Sequence, residues 1–264
     1  MEKPMSKQVL ATARSTQGKR ILRNAAGAVN KARLTESEAR DAAGSRKFQQ
    51  GFIALLRDCS AKVDWTLARS VLGNDFVAPE DIAKARRGVV YTPEEIAGLC
   101  KTLPNRKELQ WLRDNGFILV AGPPKPMSLL EIRDLKNEYL YSKTGGWYSG
   151  DKEKFSRDDK ATAKWLKLRK GPVPNSTSKS WSEQQPLLSD IEYVPNAAEA
   201  VWGVTSYKAV RGVYLLPNVY VRTSNLDSDG YRVSVGFFDA GGLYVYDDWD
   251  DDRYELLGLA SARK

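Results

Sequence analysis

Residues 212–259 alternate apolar and polar side chains with a period of two, a pattern that constrains the fold more than any other stretch. One set of alternating positions is mostly apolar and comprises Tyr231, Val233, Val235, Phe237, Leu243 and Val245. The other set comprises Arg232, Ser234, Gly236, Tyr244 and Tyr246. Successive side chains of a strand point to opposite faces, so the pattern predicts strands with one buried face. Turns rich in Gly, Asn and Asp separate these runs. We therefore predict an antiparallel meander of four to five strands that ends near Leu259.

Helix-start signals occur repeatedly before this meander. In each of them a Ser, Thr or Asn precedes a Glu by three residues, as in Thr35–Glu38, Thr92–Glu95, Asn105–Glu108 and Ser128–Glu131. Such pairs satisfy free N–H groups in the first helical turn. The apolar pattern of residues 48–72 predicts the core helix of this region. We predict an α+β protein with a basic N-terminal arm (1–33), a helical domain (34–142) and a C-terminal α+β domain that carries the antiparallel sheet (143–264).

Three short helices and a strand, predicted within residues 79–121, follow the order of a winged helix-turn-helix. On the third helix Arg106, Gln110 and Arg113 share one face at helical spacing. Arg and Gln side chains donate hydrogen bonds to base edges, so Arg106 and Arg113 are candidate DNA contacts. Any amphipathic surface helix also presents a polar face, and this simpler interpretation remains the alternative.

Charge is distributed unevenly along a chain whose net charge is +8. Residues 1–33 carry eight Lys or Arg and one acidic residue, and residues 143–181 carry ten and four. Residues 182–264 carry seven basic and thirteen acidic residues. Basic stretches of this kind favour a polyanionic partner such as nucleic acid. We predict phosphate contacts by Lys19, Arg20 and Arg23. A solvated tail and an organelle-targeting segment are the alternatives for residues 1–33.

Residues 147–181 interleave aromatic residues with Lys and Arg, a composition that suits single-stranded nucleic acid. Aromatic rings stack on bases, and cations contact phosphates. The predicted phosphate contacts of this segment are Lys164, Lys167, Arg169 and Lys170. The alternative is ordinary core packing, with the rings on one face of a helix over residues 157–169.

Histidine is absent from the sequence, and this restricts the chemistry open to an enzyme. The absence excludes Ser-His-Asp catalysis, Cys-His catalysis and His-ligated zinc. A metal-dependent hydrolase or nuclease is the remaining enzymatic alternative, with Asp239, Asp247 and Asp250 holding Mg²⁺ or Ca²⁺. The acidic turn at residues 247–252 lacks the glycine and the terminal glutamate of an EF-hand loop. We therefore favour a solvated loop and expect no cofactor.

Only two cysteines are present, so no disulfide framework is expected and a reducing, cytoplasmic location is the default. No apolar run approaches the ~18 residues of a membrane span, and we expect no membrane association. The sequence favours a non-enzymatic nucleic-acid-associated or regulatory protein. A protein–protein adaptor whose acidic sheet edge binds a basic partner is the further alternative.

Overall fold

The computed structural model describes residue 14 and residues 16–46, 48–52, 64–135 and 139–264. The chain divides into two compact units, residues 1–62 and 63–264. Helices and strands occur together, so the α+β class predicted from the sequence is confirmed.

The N-terminal unit contains helix α1 (Thr16–Ala32) and helix α2 (Glu36–Gly44). The predicted capping box of α2 is present, because the amide of Glu38 donates to Thr35 Oγ1 and the amide of Thr35 donates to a Glu38 carboxylate oxygen. The core helix predicted over residues 48–72 is described only in part. Residues 53–63, including Cys59, lie outside the described residues.

Among the described residues, the larger unit contains eight further α-helices and eleven strands. The helices are α3 (Thr66–Leu72), α4 (Pro79–Ala85), α5 (Pro93–Lys101), α6 (Arg106–Asp114), α7 (Leu129–Leu135), α8 (Phe155–Asp158), α9 (Trp181–Gln184) and α10 (Ala197–Arg211). The strands are β1 (Phe76–Val77), β2 (Phe117–Ala121), β3 (Met127–Ser128), β4 (Lys160–Ala161), β5 (Trp165–Arg169), β6 (Glu192–Tyr193), β7 (Tyr220–Leu226), β8 (Arg232–Asp239), β9 (Gly242–Asp248), β10 (Leu257–Leu259) and β11 (Ala262–Arg263).

Five of these strands form a mixed sheet in the order β1-β2-β5-β11-β6. β1 pairs with β2 in parallel, and the remaining neighbours are antiparallel. The three helices and the strand predicted for a winged helix are present, but β2 pairs on both edges inside this sheet instead of forming a short wing hairpin. The winged-helix arrangement is therefore not confirmed. The domain boundary expected after residue 142 falls within one compact unit, since β2 and β5 pair along their full length.

The predicted meander is a four-stranded sheet in the order β10-β7-β8-β9. β7, β8 and β9 are antiparallel as expected, whereas β10 pairs with β7 in parallel, so the meander has three strands and the sheet is mixed. A register shift follows Gly236, where Phe237 has a φ of 47°. The shift turns Phe237 towards Tyr220 on the outer face and buries Phe238, so the predicted grouping of Phe237 with Val233 and Val235 is wrong.

Helix α10 contacts strands of both main sheets and forms the centre of the larger unit. Its first eleven residues, 197–207, are all buried, as expected for a helix without a distinct polar face. An Asn196–Glu199 capping box begins the helix, and Gly212 ends it in the left-handed conformation that favours glycine. At Gly203, an added Cβ would collide with Cδ1 of Leu168, so α10 lies closer to β5 than an alanine there would allow with Leu168 in its present position.

The helix considered as an alternative over residues 157–169 is absent. That stretch instead forms the end of α8 and the strands β4 and β5. Among the described residues, no helix combines the length and apolar character needed to cross a membrane.

Candidate functional site

Helix α1 carries the first group of predicted phosphate contacts. Lys19 and Arg23 are exposed and lie four residues apart, on the same face of the helix. Arg20 belongs to the same helix. The sequence of α1 contains no acidic residue, so intrahelical carboxylates do not neutralise these cations. This helix is a basic surface within the N-terminal unit.

Helix α6 presents a second polar face. Arg106, Gln110 and Arg113 are exposed, whereas Leu109 and Leu112 on the opposite face are fully buried. The arrangement agrees with the helical spacing read from the sequence. Arg113 forms an ion pair with its neighbour Asp114 at 2.9 Å, and both side chains are well exposed. Exposed ion pairs contribute little stability, so Arg113 remains free to exchange Asp114 for a phosphate.

Most of the basic residues near β5 that were predicted to contact phosphates form ion pairs within the protein. Three of them form ion pairs with carboxylates of the same unit: Lys167–Glu108 at 2.7 Å, Arg169–Glu192 at 3.1 Å and Lys170–Asp75 at 2.7 Å. The guanidinium of Arg169 also stacks on the ring of Phe117. Lys164 is exposed. The structure therefore gives Lys167, Arg169 and Lys170 a role in holding β5 to its neighbours.

Three of the five aromatic residues of the same segment pack in the interior. Tyr148, Phe155 and Trp165 are buried, and Trp147 contacts both Tyr148 and Phe155. Trp165 donates a hydrogen bond from its indole N–H to the carbonyl of Leu99. These rings cannot stack on bases without leaving the core, so core packing is the interpretation that the structure supports.

The alternative metal ligands do not meet. Strand register pairs Asp239 with Gly242 at one end of the β8–β9 hairpin and Arg232 with Asp248 at the other. Seven residues of strand separate these ends, which corresponds to roughly 20 Å. The guanidinium of Arg232 forms a bidentate ion pair with Asp250, and both nitrogen–oxygen distances are 3.1 Å. Among the described residues, no three Asp, Glu or Cys side chains are arranged to hold a metal ion.

The acidic turn is organised by a buried arginine of β7. The guanidinium of Arg222 is fully buried and donates to the carbonyl oxygens of Lys179, Trp249 and Asp252, and to the side-chain oxygen of Gln184. Its burial lowers the pKa of Arg222 below the usual value, and the nearby Asp248 opposes that effect. Arg222 thus joins the segment around α9 to residues 249–252. The turn is partly solvated, as predicted from the sequence, since Asp251 is exposed, while Asp250 and Asp252 are half-buried.

Asp248 lies beneath this turn and is buried. Its carboxylate accepts hydrogen bonds from the hydroxyl groups of Ser234 and Tyr254. Burial raises the pKa of Asp248 to about 6, although the hydrogen bond from Ser234 and the charge of Arg222 act in the opposite direction. Burial and the carboxylates of Asp227, Glu153 and Asp229 also raise the pKa of Asp247, which is half-buried on the other face of β9.

The outer face of the four-stranded sheet has two halves. The half around Arg222, Arg232, Ser234 and Asp248 is covered by α9 and by the acidic turn, and the ring of Trp181 lies 3.9 Å from the Arg232 guanidinium. The other half is open and aromatic. We call it the tyrosine face, and it comprises Tyr141, Tyr220, Phe237, Tyr244 and Tyr246.

The sequence indicated part of the tyrosine face and missed the rest. The alternation placed Tyr244 and Tyr246 on the same side as Ser234 and Gly236, and the strand register confirms this grouping. Tyr141 comes from a distant segment of the chain, and it reaches this sheet because its backbone amide donates to the carbonyl of Leu243 in β9. No periodicity in the sequence could bring it to this sheet.

A scan against protein-family models found no match, and searches of curated proteins and of solved structures found no significant similarity.

Proposed function

We propose that this protein is a non-enzymatic, nucleic-acid-associated protein that contacts phosphates through its basic N-terminal segment. The observation that carries the proposal is helix α1, whose exposed Lys19 and Arg23 occupy a helix without any acidic residue. The surrounding residues 1–33 carry eight basic residues and one acidic residue. A concentrated positive surface of this kind attracts nucleic acid, and binding releases condensed counterions.

The other basic residues support a smaller role. Lys167, Arg169 and Lys170 already have carboxylate partners, so a phosphate would have to compete with Glu108, Glu192 and Asp75. Arg106 and Arg113 on α6 are exposed and form a second candidate surface. We assign phosphate binding first to α1 and second to α6.

The test is a salt titration of binding to a duplex DNA and to a single-stranded RNA. Each phosphate contact on duplex DNA contributes about −0.9 to the slope of log K against log salt. Replacing Lys19, Arg20 and Arg23 together with glutamine is therefore expected to make the slope less steep by roughly two to three. Glutamine retains length and helix propensity, so the variant removes charge with little change to the helix.

The comparison is the double variant Arg106→Gln/Arg113→Gln, which removes two exposed cations from the second candidate surface. Its expected effect on the slope is smaller than that of the α1 variant. An unchanged slope in the α1 variant would reject this helix as the phosphate-binding surface. A loss confined to the α6 variant, and larger on one DNA sequence than on another, would instead assign DNA reading to Arg106 and Arg113.

A further inference from the structure

The tyrosine face is an open aromatic surface on an otherwise well-packed sheet. Tyr141 and Tyr246 are 54% and 50% exposed, and Tyr220, Phe237 and Tyr244 are half-buried. Tyr141 stacks on Tyr244 with ring centroids 4.0 Å apart. Tyr220 lies between Phe237 at 4.6 Å and Tyr246 at 5.8 Å. Isolated exposed rings are common on proteins, but five rings on one sheet face, in a stacked pair and a group of three, indicate an interaction surface.

Mutual packing fixes the rings before any partner arrives. Each ring touches at least one other ring, and the strand pairing of Tyr220 with Gly236 and of Gly236 with Tyr244 sets their spacing. Gly236 leaves room between them, since an added Cβ would collide with the backbone of Val219 and Tyr220. A prearranged surface loses little side-chain entropy when it binds a partner, and the smaller loss increases affinity.

Two carboxylates act on the tyrosines of this face. Asp239 is exposed and close to Tyr244, whereas Asp248 is close to Tyr220 but buried. Burial, Tyr244 and then Asp248 raise the pKa of Tyr220 to about 12, and burial, Tyr141 and Asp239 raise that of Tyr244. Residues 182–264, which supply four of the five rings, carry thirteen acidic and seven basic residues. Two of those basic residues, Arg222 and Arg232, are buried and bonded beneath the turn.

We propose that the tyrosine face is a docking site for an arginine-bearing segment of a partner protein. Ring faces attract guanidinium groups, and the exposed carboxylate of Asp239 beside Tyr244 adds a charge of the complementary sign. Tyrosine and arginine are also the residues most enriched where protein interfaces gain their binding energy. Phosphates are disfavoured at this surface, because the exposed carboxylate of Asp239 would repel them. The area of five rings suits a peptide or a loop, smaller than a whole-domain interface.

This inference is independent of the phosphate-binding proposal. The two surfaces lie in different units of the chain and have opposite charge. A protein with both would bind nucleic acid through one unit and a basic protein segment through the other.

The experiment uses the full chain and a hexa-arginine peptide that carries a neutral fluorophore, with binding followed by fluorescence anisotropy. Hexa-citrulline is the matched probe, because citrulline keeps the shape of arginine and lacks its charge. We expect binding of hexa-arginine that weakens with added salt, and binding of hexa-citrulline that is at least tenfold weaker. Equal binding of the two peptides would overturn the proposal.

Variants then locate the site. Tyr141→Ala/Tyr246→Ala removes the two most exposed rings and is expected to weaken hexa-arginine binding by about fivefold to thirtyfold. Asp239→Asn is expected to weaken it about twofold to threefold and to reduce its salt dependence. The control is Trp249→Ala, which removes a 63% exposed ring that packs on Tyr231 at the far end of the hairpin. Thermal melts of each variant verify that it folds.

Three results would contradict the proposal. The first is an equal loss of hexa-arginine binding in Trp249→Ala and in the tyrosine variant. The second is binding of oligo-deoxythymidine that disappears in the tyrosine variant, which would make the face a base-stacking surface. The third is self-association of the chain that disappears in the same variant, which would make a second copy the occupant.

Discussion

Replacing Asp248 with asparagine tests whether ionisation of this buried carboxyl destabilises the folded protein. Asp248 is buried, and burial raises its pKa from 3.8 to about 6. The folded state therefore keeps a proton on this carboxyl at pH values where the unfolded chain has lost it. Below pH 3.8 both states are protonated and the full stability is present. As the pH rises through about 6, the folded state must ionise a buried group, and that stability is lost.

The size of the effect follows from the shift in pKa. A difference of about two units corresponds to roughly 3 kcal/mol, which is an upper limit. Asparagine resembles the protonated carboxyl and can keep hydrogen bonds with Ser234 and Tyr254, whose hydroxyls now contact Asp248. Arg222 loses a nearby negative charge in the variant, and this offsets part of the gain. We expect the stability of Asp248→Asn relative to the parent to rise by about 1–3 kcal/mol between pH 4 and pH 8.

The assay is urea unfolding followed by tryptophan fluorescence, for parent and variant at several pH values across this range. All other titrating groups are shared, so their contributions cancel in the difference between the two proteins. Asp251→Asn is the control, because Asp251 is exposed in the same turn and its removal is expected to change stability by less than about 0.5 kcal/mol at every pH. A stability difference between Asp248→Asn and parent that does not vary with pH would refute the reasoning.

Two further substitutions test other parts of the structure. Arg222→Met should cost about 2–4 kcal/mol, since it leaves three carbonyls and one amide oxygen without their donor, and hydrogen exchange should report faster opening of residues 179–184 and 249–254. Unchanged exchange in both segments would show that Arg222 does not join them. Gly203→Ala should cost about 1–3 kcal/mol in a denaturant melt because its Cβ meets Leu168, and Leu168→Val in the same chain should recover part of that loss. A neutral Gly203→Ala would show that Leu168 moves aside freely.

Local signals in the sequence predicted local structure well. The pairs Thr92–Glu95 and Ser128–Glu131 place helix starts where the structure has them, because a capping box involves only neighbouring residues. The alternation in residues 232–246 correctly grouped most side chains of β8 and β9. It failed at Phe237, because the register shift there depends on Val219 and Leu216, whose carbonyls accept the amides of Phe237 and Phe238.

The parts that were missed depend on partners distant in the chain. Helix α10 has apolar residues on all sides, so no amphipathic period marks it, although Asn196, Glu199 and Gly212 bound it with ordinary signals. From the sequence alone, Arg222 would be interpreted as a surface cation. Its burial depends on hydrogen bonds to Gln184 and Trp249, which are distant in the chain. Lys167 and Arg169 were predicted to contact phosphates because their carboxylate partners are also distant in the chain. Glu108 is 59 residues from Lys167, and Glu192 is 23 residues from Arg169.

The five-stranded sheet of the larger unit cannot be completed before β11 has been synthesised. This two-residue strand, Ala262–Arg263, lies between β5 and β6 and is the only link between them in the five-stranded sheet as described. While residues 262–263 are still inside the ribosome, β6 has no strand to pair with, although its sequence emerged about seventy residues earlier. The sheet therefore closes only after β1, β2, β5 and β6 have all been synthesised. A nascent chain stalled before Ala262 should expose an unpaired edge of β5, and such an edge recruits other strands.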